Sequence, residues 1–345
     1  MINVQQIFKM LLALFIGFLG AILFIYIHIP MPWLLGAIFA TSIAIRFENL
    51  PILSPKTFSP PARVFIGLTL GSAFTPEIIK YLDIYFYSLL LVIPFTILTI
   101  VCGTYYYHKF LNYDKKTACL GSMPGGVIEM VIIGEEIKAN TSKITLMQSS
   151  RLFLVVATLP FIIQYIFNID ISGNKLITTP IKNIDLVELS ILLVLGFAGA
   201  IIAKKTKVSA AYLIGPMIVS IIAHSTGYIH TQVPDEFLKF IQVVFGTIIG
   251  FTFKGVGLRV IANTFIATLG HFFILVVLCA IFIILAHYMF HFPVLSILLA
   301  YGPGGQSEIN LIAILVGANL PYITLHHIVR LFIVMNIAPI FAKRL

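Results

Sequence analysis

Hydrophobic residues form long, nearly uninterrupted stretches along the whole chain, and short polar connections separate them. A helix needs about 20 apolar residues to cross the hydrocarbon layer of a bilayer. The pattern predicts spanning helices at residues 7–28, 30–46, 62–80, 84–107 and 142–167 in the first half, and at 185–203, 209–225, 238–254, 265–287 and 320–342 in the second half. We therefore predict an all-α polytopic membrane protein that lies in a lipid bilayer.

Composition supports this class. Hydrophobic residues make up 59% of the 345 residues and charged residues 10%, against about 25% charged in an ordinary soluble domain. These values exclude a soluble globular protein and a disordered chain. The net charge of +9 comes from basic residues in short connections, which indicates cytoplasmic loops rather than nucleic-acid binding.

The chain contains an internal duplication at a constant offset of 179 residues, without gaps. The matched residues include Gly17, Gly20, Gly67, Gly71, Arg151 and Phe153, which recur as Gly196, Gly199, Gly246, Gly250, Arg330 and Phe332. We assign residues 1–168 to a first membrane repeat, 169–183 to a linker and 184–345 to a second membrane repeat.

Loop charges predict how the two repeats are oriented. Lys204, Lys205 and Lys207 follow the first span of the second repeat, whereas the equivalent residues 26–31 contain no lysine or arginine. Because cytoplasmic loops are enriched in basic residues, this asymmetry favours two inverted repeats of about five spans each, with both termini in the cytoplasm. The alternative is six spans in each repeat, with the repeats parallel.

A Pro-Gly-Gly sequence interrupts a short apolar segment in each repeat, at 118–138 and at 295–317. Such a sequence breaks a helix, because proline lacks an N–H and glycine tolerates positive φ. The first copy consists of Pro124, Gly125 and Gly126. The second copy consists of Pro303, Gly304 and Gly305. Each segment is predicted to be re-entrant or part of a broken helix, and paired breaks in inverted repeats indicate a transporter binding site. The alternative is a tight turn at the membrane surface.

Charged residues accompany both segments. Glu129 and Glu308 follow the Pro-Gly-Gly sequences, where they either stabilise a helix N-terminus or bind a coupling ion. Arg151 and Arg330 lie well inside apolar spans. We expect them either to pair with the two carboxylates and fix helix positions, Arg151 with Glu129 and Arg330 with Glu308 or each with the carboxylate of the other repeat, or to bind an anionic group.

Further polar residues lie at the same level of the predicted membrane. The candidate substrate- or ion-binding residues among them are Asn140, Gln148, Ser307, Asn319 and His327. The two asparagines have the alternative role of helix caps. His326 and His327 replace Met147 and Gln148 of the first repeat. Adjacent histidines point to different faces of a helix and therefore form a poor metal pair. A protonatable histidine that lines a cavity is the alternative.

Signals for enzymatic chemistry are weak. No zinc-protease, nucleophile-elbow, P-loop or dinucleotide motif occurs in the sequence, and three widely spaced cysteines form no metal pattern. We predict no enzyme activity, no metal and no cofactor, other than a coupling proton or sodium ion.

The duplicated unit, with its Pro-Gly-Gly-x-x-Glu segments at 124–129 and 303–308 and a downstream Arg-Leu-Phe, resembles the AbrB family of bacterial membrane proteins. The resemblance covers nearly the whole chain and implies a multi-pass protein of the bacterial cytoplasmic membrane. Members often carry labels of ammonia monooxygenase or gene regulator, and no residue pattern in this sequence supports either label.

We predict a secondary transporter or exporter of a small polar or anionic solute, with its site at the two Pro-Gly-Gly breaks near the bilayer midplane. One alternative is a membrane-embedded regulator or sensor that acts through a partner, and another is a membrane metalloenzyme of the monooxygenase type. The sequence leaves a homo-oligomer open.

Overall fold

The computed structural model describes residues 3–74, 82–171, 179–206, 208 and 210–344, and every regular element in these ranges is a helix. The first half contains α1 (Val4–Tyr26), α2 (Pro32–Ala44), α3 (Ser59–Ser72), α4 (Leu82–Leu90), α5 (Val92–Tyr105), α6 (Lys115–Ser122), α7 (Val127–Glu136) and α8 (Thr141–Ile166). The second half contains α9 (Leu186–Lys205), α10 (Ala211–Ser225), α11 (Asp235–Gly250), α12 (Leu258–Phe290), α13 (Val294–Tyr301), α14 (Gln306–Leu315) and α15 (Leu320–Arg344).

Several helical segments are long and apolar enough to cross a membrane. Within the described ranges there are seven, namely Val4–Tyr26, Tyr85–Phe110, Thr141–Ile166, Leu186–Lys205, Asp235–Phe253, Leu258–Phe290 and Leu320–Ala338. Large apolar side chains such as Phe273 and Ile266 of α12 are about 70% exposed, and lipid covers such side chains in a membrane. The prediction of a multi-pass, all-helical membrane protein is therefore confirmed.

Three of the predicted spans are shorter in the structure. The spans predicted at 30–46 and 209–225 are the helices α2 and α10, and the span predicted at 62–80 ends as helix α3 at Ser72. The predicted residues 75–80 of that span lie outside the described residues, as do residues 172–178 of the predicted linker and Lys207. The connection predicted between the spans 238–254 and 265–287 lies earlier in the structure, because α11 ends at Gly250 and α12 begins at Leu258.

Polar caps determine where several helices begin. The Asp114 side chain accepts the Thr117 N–H at 2.8 Å before α6, and Asp185 accepts the Val187 N–H at 2.8 Å before α9. Each carboxylate satisfies a backbone donor that has no partner inside its helix. These caps fix the starts of the two helices.

The first of two compact units contains residues Met1–Ile79, Pro160–Lys254 and Asn310–Pro321. Glycines allow its helices to approach closely: Gly20 of α1 contacts the Gly36 carbonyl of α2, and Gly199 of α9 contacts the Gly215 carbonyl of α10. The second contact repeats the first at the offset of 179 residues. Small residues at helix crossings permit this backbone contact in membrane proteins.

Contacts between the halves of the chain also recur within this unit. Gly67 of α3 lies against the Leu213 carbonyl of α10, and Gly246 of α11 lies against the Leu34 carbonyl of α2. Gly246 is the counterpart of Gly67, and Leu213 is the counterpart of Leu34, at the offset of 179. The glycine comes from the first half in one contact and from the second half in the other.

The second unit contains residues Lys80–Leu159, Gly255–Ile309 and Tyr322–Leu345. One of its buried clusters joins both halves of the chain: Leu120, Met123 and Met130 of the first half belong to the same cluster as Val334 and Ala338 of α15. The Pro-Gly-Gly sequences and both predicted arginines belong to this unit.

Candidate functional site

Each half of the chain has a non-helical joint at its Pro-Gly-Gly sequence. The first joint, residues 123–126, separates α6 from α7, and the second joint, residues 302–305, separates α13 from α14. Pro124 and Pro303 are buried. Since proline has no N–H and each joint is extended rather than helical, the last carbonyls of the preceding helix need partners from elsewhere.

The helices on either side of the first joint form a hairpin. The Asn140 N–H, beyond the end of α7, donates to Thr117 Oγ1 near the start of α6 at 2.9 Å. Lys116 Nζ lies 3.4 Å from the Ile137 carbonyl oxygen. The two ends of the segment are therefore adjacent. Asn140 Oδ1 also accepts the Lys143 N–H at 3.0 Å, so this residue caps α8.

Arg151 of α8 is 3% exposed and bonds to the carbonyl groups of the first joint. Its Nη1 donates to the Met123 oxygen at 2.9 Å, and its Nη2 donates to Gln148 Oε1 at 2.7 Å. Gln148 Nε2 in turn donates to the oxygens of Leu120 and Met123 at 2.8 and 2.9 Å. The two side chains thus satisfy the carbonyls that the break leaves without helical partners.

Arg330 of α15 has the equivalent place at the second joint. Its Nη1 donates to the Gly302 oxygen at 2.7 Å, and His327 Nε2 lies 2.9 Å from the Leu299 oxygen. Gly302 and Leu299 are the counterparts of Met123 and Leu120. Because a carbonyl oxygen only accepts hydrogen bonds, Nε2 carries the hydrogen of the imidazole.

Each joint also contacts the arginine-bearing helix of the other half. A methyl group added to Gly125 would lie 3.0 Å from Val334 Cγ1 of α15, and one added to Gly304 would lie 3.0 Å from Val155 Cγ1 of α8. Val334 and Val155 differ by 179 positions. The two joints, α8 and α15 therefore form one packed arrangement with contributions from both halves.

The two carboxylates lie at the starts of the helices that follow the joints. Glu129 is the third residue of α7 and its carboxylate lies against Gly126; Glu308 is the third residue of α14 and its carboxylate lies against Gly305. This is the position in which a side chain caps a helix N-terminus. Among the residues that the structure describes, no ion pair joins Glu129 to Arg151, so the expected pairing at the first joint is wrong; the guanidinium bonds to the freed carbonyl instead.

The other predicted site residues are less closely connected. Ser307 is buried in the first turn of α14, 7% exposed. Asn319 is partly buried and directly precedes α15.

A buried hydrogen-bond network beside the second joint was missed by sequence reasoning. Ser88 Oγ lies 2.7 Å from the Tyr322 hydroxyl and 2.9 Å from His326 Nε2. The Tyr301 hydroxyl donates to the backbone carbonyl oxygen of Ser88 at 3.3 Å. His326 Nδ1 also lies 2.7 Å from the backbone carbonyl oxygen of Tyr322. Tyr301 directly precedes Gly302, which was the available signal, but nothing in the sequence connects the distant Ser88 to it.

Two buried guanidiniums dominate the chemistry of this arrangement. In the described ranges neither side chain is ion-paired with a carboxylate. A buried cation without an ion-pair partner attracts an anion. Within the same ranges no three histidine, cysteine or acidic side chains lie close enough together to hold a metal ion.

Comparison with known proteins identifies the family. Residues 33–345 match the family model AbrB, described as "Transition state regulatory protein AbrB". The chain is 23% identical over 337 residues to the protein named "Putative regulator AbrB" of Escherichia coli (strain K12), covering 96% of this chain and 93% of that protein. It is 24% identical over 303 residues to "Uncharacterized protein YhjN" of Bacillus subtilis (strain 168), covering 82% of this chain and 77% of that one. Because the family model matches most of its length, this helical membrane protein belongs to the AbrB family.

Proposed function

We propose that the protein is a secondary transporter of a small polar or anionic solute, driven by a proton or sodium gradient. The observation that carries this proposal is the pair of buried arginines, Arg151 and Arg330, at equivalent positions beside the two joints. A buried guanidinium without a carboxylate costs several kcal/mol, and an anion that enters from water offsets this cost. The proposed solute site lies between the joints, near the bilayer midplane.

The proposal includes two inverted repeats, and the α6–α7 hairpin supports it. Because the contact between Asn140 and Thr117 brings both ends of this segment together, the segment enters and leaves the membrane on one side. Five spans then remain in the first half. An odd number of spans places the second half upside down relative to the first, which is the arrangement of many transporters with a midplane site.

Charges at the ends of the two Pro-Gly-Gly segments support the same orientation. Four lysines lie near the ends of the first segment: Lys115, Lys116, Lys138 and Lys143. Their counterparts at the second segment are Val294, Leu295, Gly317 and Tyr322, none of which is basic. By the positive-inside rule, we place the ends of the first segment on the cytoplasmic face and those of the second on the opposite face of the membrane.

Cysteine labelling tests this orientation. Cysteines introduced as Lys138→Cys and Ala318→Cys should react differently with a membrane-impermeant maleimide, because the proposed topology puts these two positions on opposite faces of the membrane. In intact cells we expect labelling at position 318 alone, and labelling at position 138 after the membrane is permeabilised. The unsubstituted chain, whose Cys119 and Cys279 are buried, provides the background. Labelling of both positions from the same side would contradict the inverted arrangement.

Helix N-termini add to the attraction for anions. α7 and α14 both begin at a joint, and the first turn of a helix carries partial positive charge. Glu129 and Glu308 occupy these first turns. In the proposed cycle the carboxylates stabilise the joints or bind the coupling ion, while the arginines attract the solute.

Reconstitution into liposomes tests the function directly. Purified protein should accumulate at least one component of a mixture of small polar and anionic metabolites, quantified by mass spectrometry, when a proton or sodium gradient is applied. Glu129→Gln and Glu308→Gln preserve the size of the side chains and remove their charge. If the carboxylates bind the coupling ion, accumulation should fall at least about tenfold; unchanged flux in both single variants and the double variant would exclude this role. The transporter proposal fails if no component moves in a protein-dependent manner.

The name of the Escherichia coli relative, a regulator, favours one other function, that of a membrane-embedded regulator. A regulator of this kind would act through a partner and move no solute. The liposome experiment therefore separates the two functions, since a regulator predicts no accumulation under any gradient.

A further inference from the structure

The equivalent residues Gln148 and His327 differ in one chemical respect. Both donate a hydrogen bond to the corresponding carbonyl, of Leu120 and Leu299 respectively. Gln148 Oε1 accepts a hydrogen bond from Arg151, whereas His327 Nδ1 has no hydrogen-bond partner among the described residues, although the side chain is only 1% exposed. A buried acceptor without a partner is costly, and a proton or a ligand at this nitrogen would remove the cost.

We propose that His327 Nδ1 binds the coupling proton, and that it does so together with a small oxyanion held by Arg330. The inference rests on the transporter function proposed above and identifies its coupling ion as a proton and its solute as an anion with carboxylate-like oxygens.

Arg330 has unused hydrogen-bonding capacity. A guanidinium carries five N–H donors, and in the described part of the chain Arg330 makes a single hydrogen bond, to Gly302. The remaining donors suit the two oxygens of a carboxylate or a similar oxyanion. Arg330 follows His327 by three residues on α15, so the two side chains share a helix face, and the charge of Arg330 acts on the imidazole.

This geometry couples the proton to the anion. The Leu299 carbonyl holds the hydrogen on Nε2, so Nδ1 is the atom that takes up a proton. A proton there adds a second positive charge beside Arg330 in a buried place, which is unfavourable while the site is empty. A bound anion compensates the added charge. By linkage, the anion must raise the proton affinity by the same factor as the proton raises the anion affinity.

Other ionisable groups come from the helices that meet here. They are His326 on α15, Tyr301 on α13, Cys279 on α12 and Arg151 on α8. Glu308 lies in the first turn of α14, against Gly305. Both ring nitrogens of His326 lie within hydrogen-bond distance of a partner, Ser88 and the Tyr322 oxygen. His327 therefore differs from its neighbour in having a nitrogen that is free to take up a proton.

Calorimetry on the full chain in detergent tests the inference. Acetate, lactate, phosphate and sulfate are titrated one at a time, in buffers of different ionisation enthalpy, so that the heat reports proton uptake. At least one of these anions should bind with uptake of about one proton, and its affinity should be about 5- to 100-fold higher near pH 6 than near pH 8, about 100-fold being the limit for one proton over this interval.

Two adjacent variants provide a matched comparison. His327→Gln reproduces the residue of the first half, so it can keep the bond to Leu299 and should still bind the anion, but without proton uptake or pH dependence. His326→Gln should retain both. If His327→Gln does not fold, as judged by its melting temperature, the pH dependence of the unsubstituted protein still decides the matter.

Three results would overturn the inference: no binding of any of the four anions, anion binding without proton uptake, or unchanged proton uptake in His327→Gln. None of these results tests the transporter proposal itself. Sodium-driven accumulation of a solute in liposomes would still support transport in each of these cases.

Discussion

Arg330→Gln should weaken anion binding about 100-fold and reduce solute movement accordingly while the protein remains folded, whereas Arg151→Gln should mainly destabilise the fold. Arg151 donates to Met123 and to Gln148, and hydrogen bonds that involve a charged group contribute about 1.5–3 kcal/mol each. We therefore expect Arg151→Gln to lower the free energy of unfolding by about 3 kcal/mol.

The expectation for Arg330 is different because its side chain makes fewer contacts. In the described ranges Arg330 makes a single hydrogen bond, to Gly302. Its replacement by glutamine also removes the cost of a buried cation. The melting temperature of Arg330→Gln should stay near that of the unsubstituted chain. Loss of a charge-assisted contact of about 3 kcal/mol corresponds to about 100-fold weaker anion binding.

Melting curves in detergent and flux in liposomes, measured on the same preparations, check both expectations. The two variants carry the same substitution at equivalent positions, so each is the control for the other. Equal loss of stability in both would show that the arginines have the same structural role. Normal flux in a folded Arg330→Gln protein would remove this residue from the solute site.

The long spans could be predicted from the sequence because bilayer thickness imposes a length on an apolar helix. α1, α8 and α9 follow their predicted ranges within a few residues. α2, α3 and α10 are shorter than predicted, and each lies in close glycine contacts with another helix. Hydropathy does not distinguish an apolar residue that faces lipid from one that faces protein.

The candidate site was predicted in part. The arginines and the Pro-Gly-Gly sequences were identified because the duplication repeats them, and the structure brings Arg151 and Arg330 to equivalent places beside the joints. The pairing of Glu129 with Arg151 was wrong, because a sequence displays opposite charges but not the carbonyl groups that a helix break exposes. Ser88 was missed because its partner His326 lies 238 positions away in the chain.

Substitution of the glycines at the helix crossings should cause the largest losses of stability. A methyl group on Gly36 would lie 2.6 Å from the carbonyl carbon of Gly20 and 2.7 Å from Ala21 Cα. Backbone atoms cannot move aside as a flexible side chain does, so α1 and α2 must separate. We expect Gly36→Ala to cost about 3 kcal/mol, near the upper end for overpacked sites, and to lower the melting temperature in detergent.

The repeat supplies a second instance and the chain supplies a control. Gly215→Ala, at the equivalent crossing of α9 and α10, places its methyl group 2.7 Å from the Gly199 carbonyl carbon and should have a similar effect. Gly257 has no neighbouring atom within 4 Å of an added methyl group, so Gly257→Ala should cost less than about 1 kcal/mol, the usual scale for a helix cap. Melting temperatures that fall equally in all three variants would mean that the backbone contacts at the crossings do not set the stability of this unit.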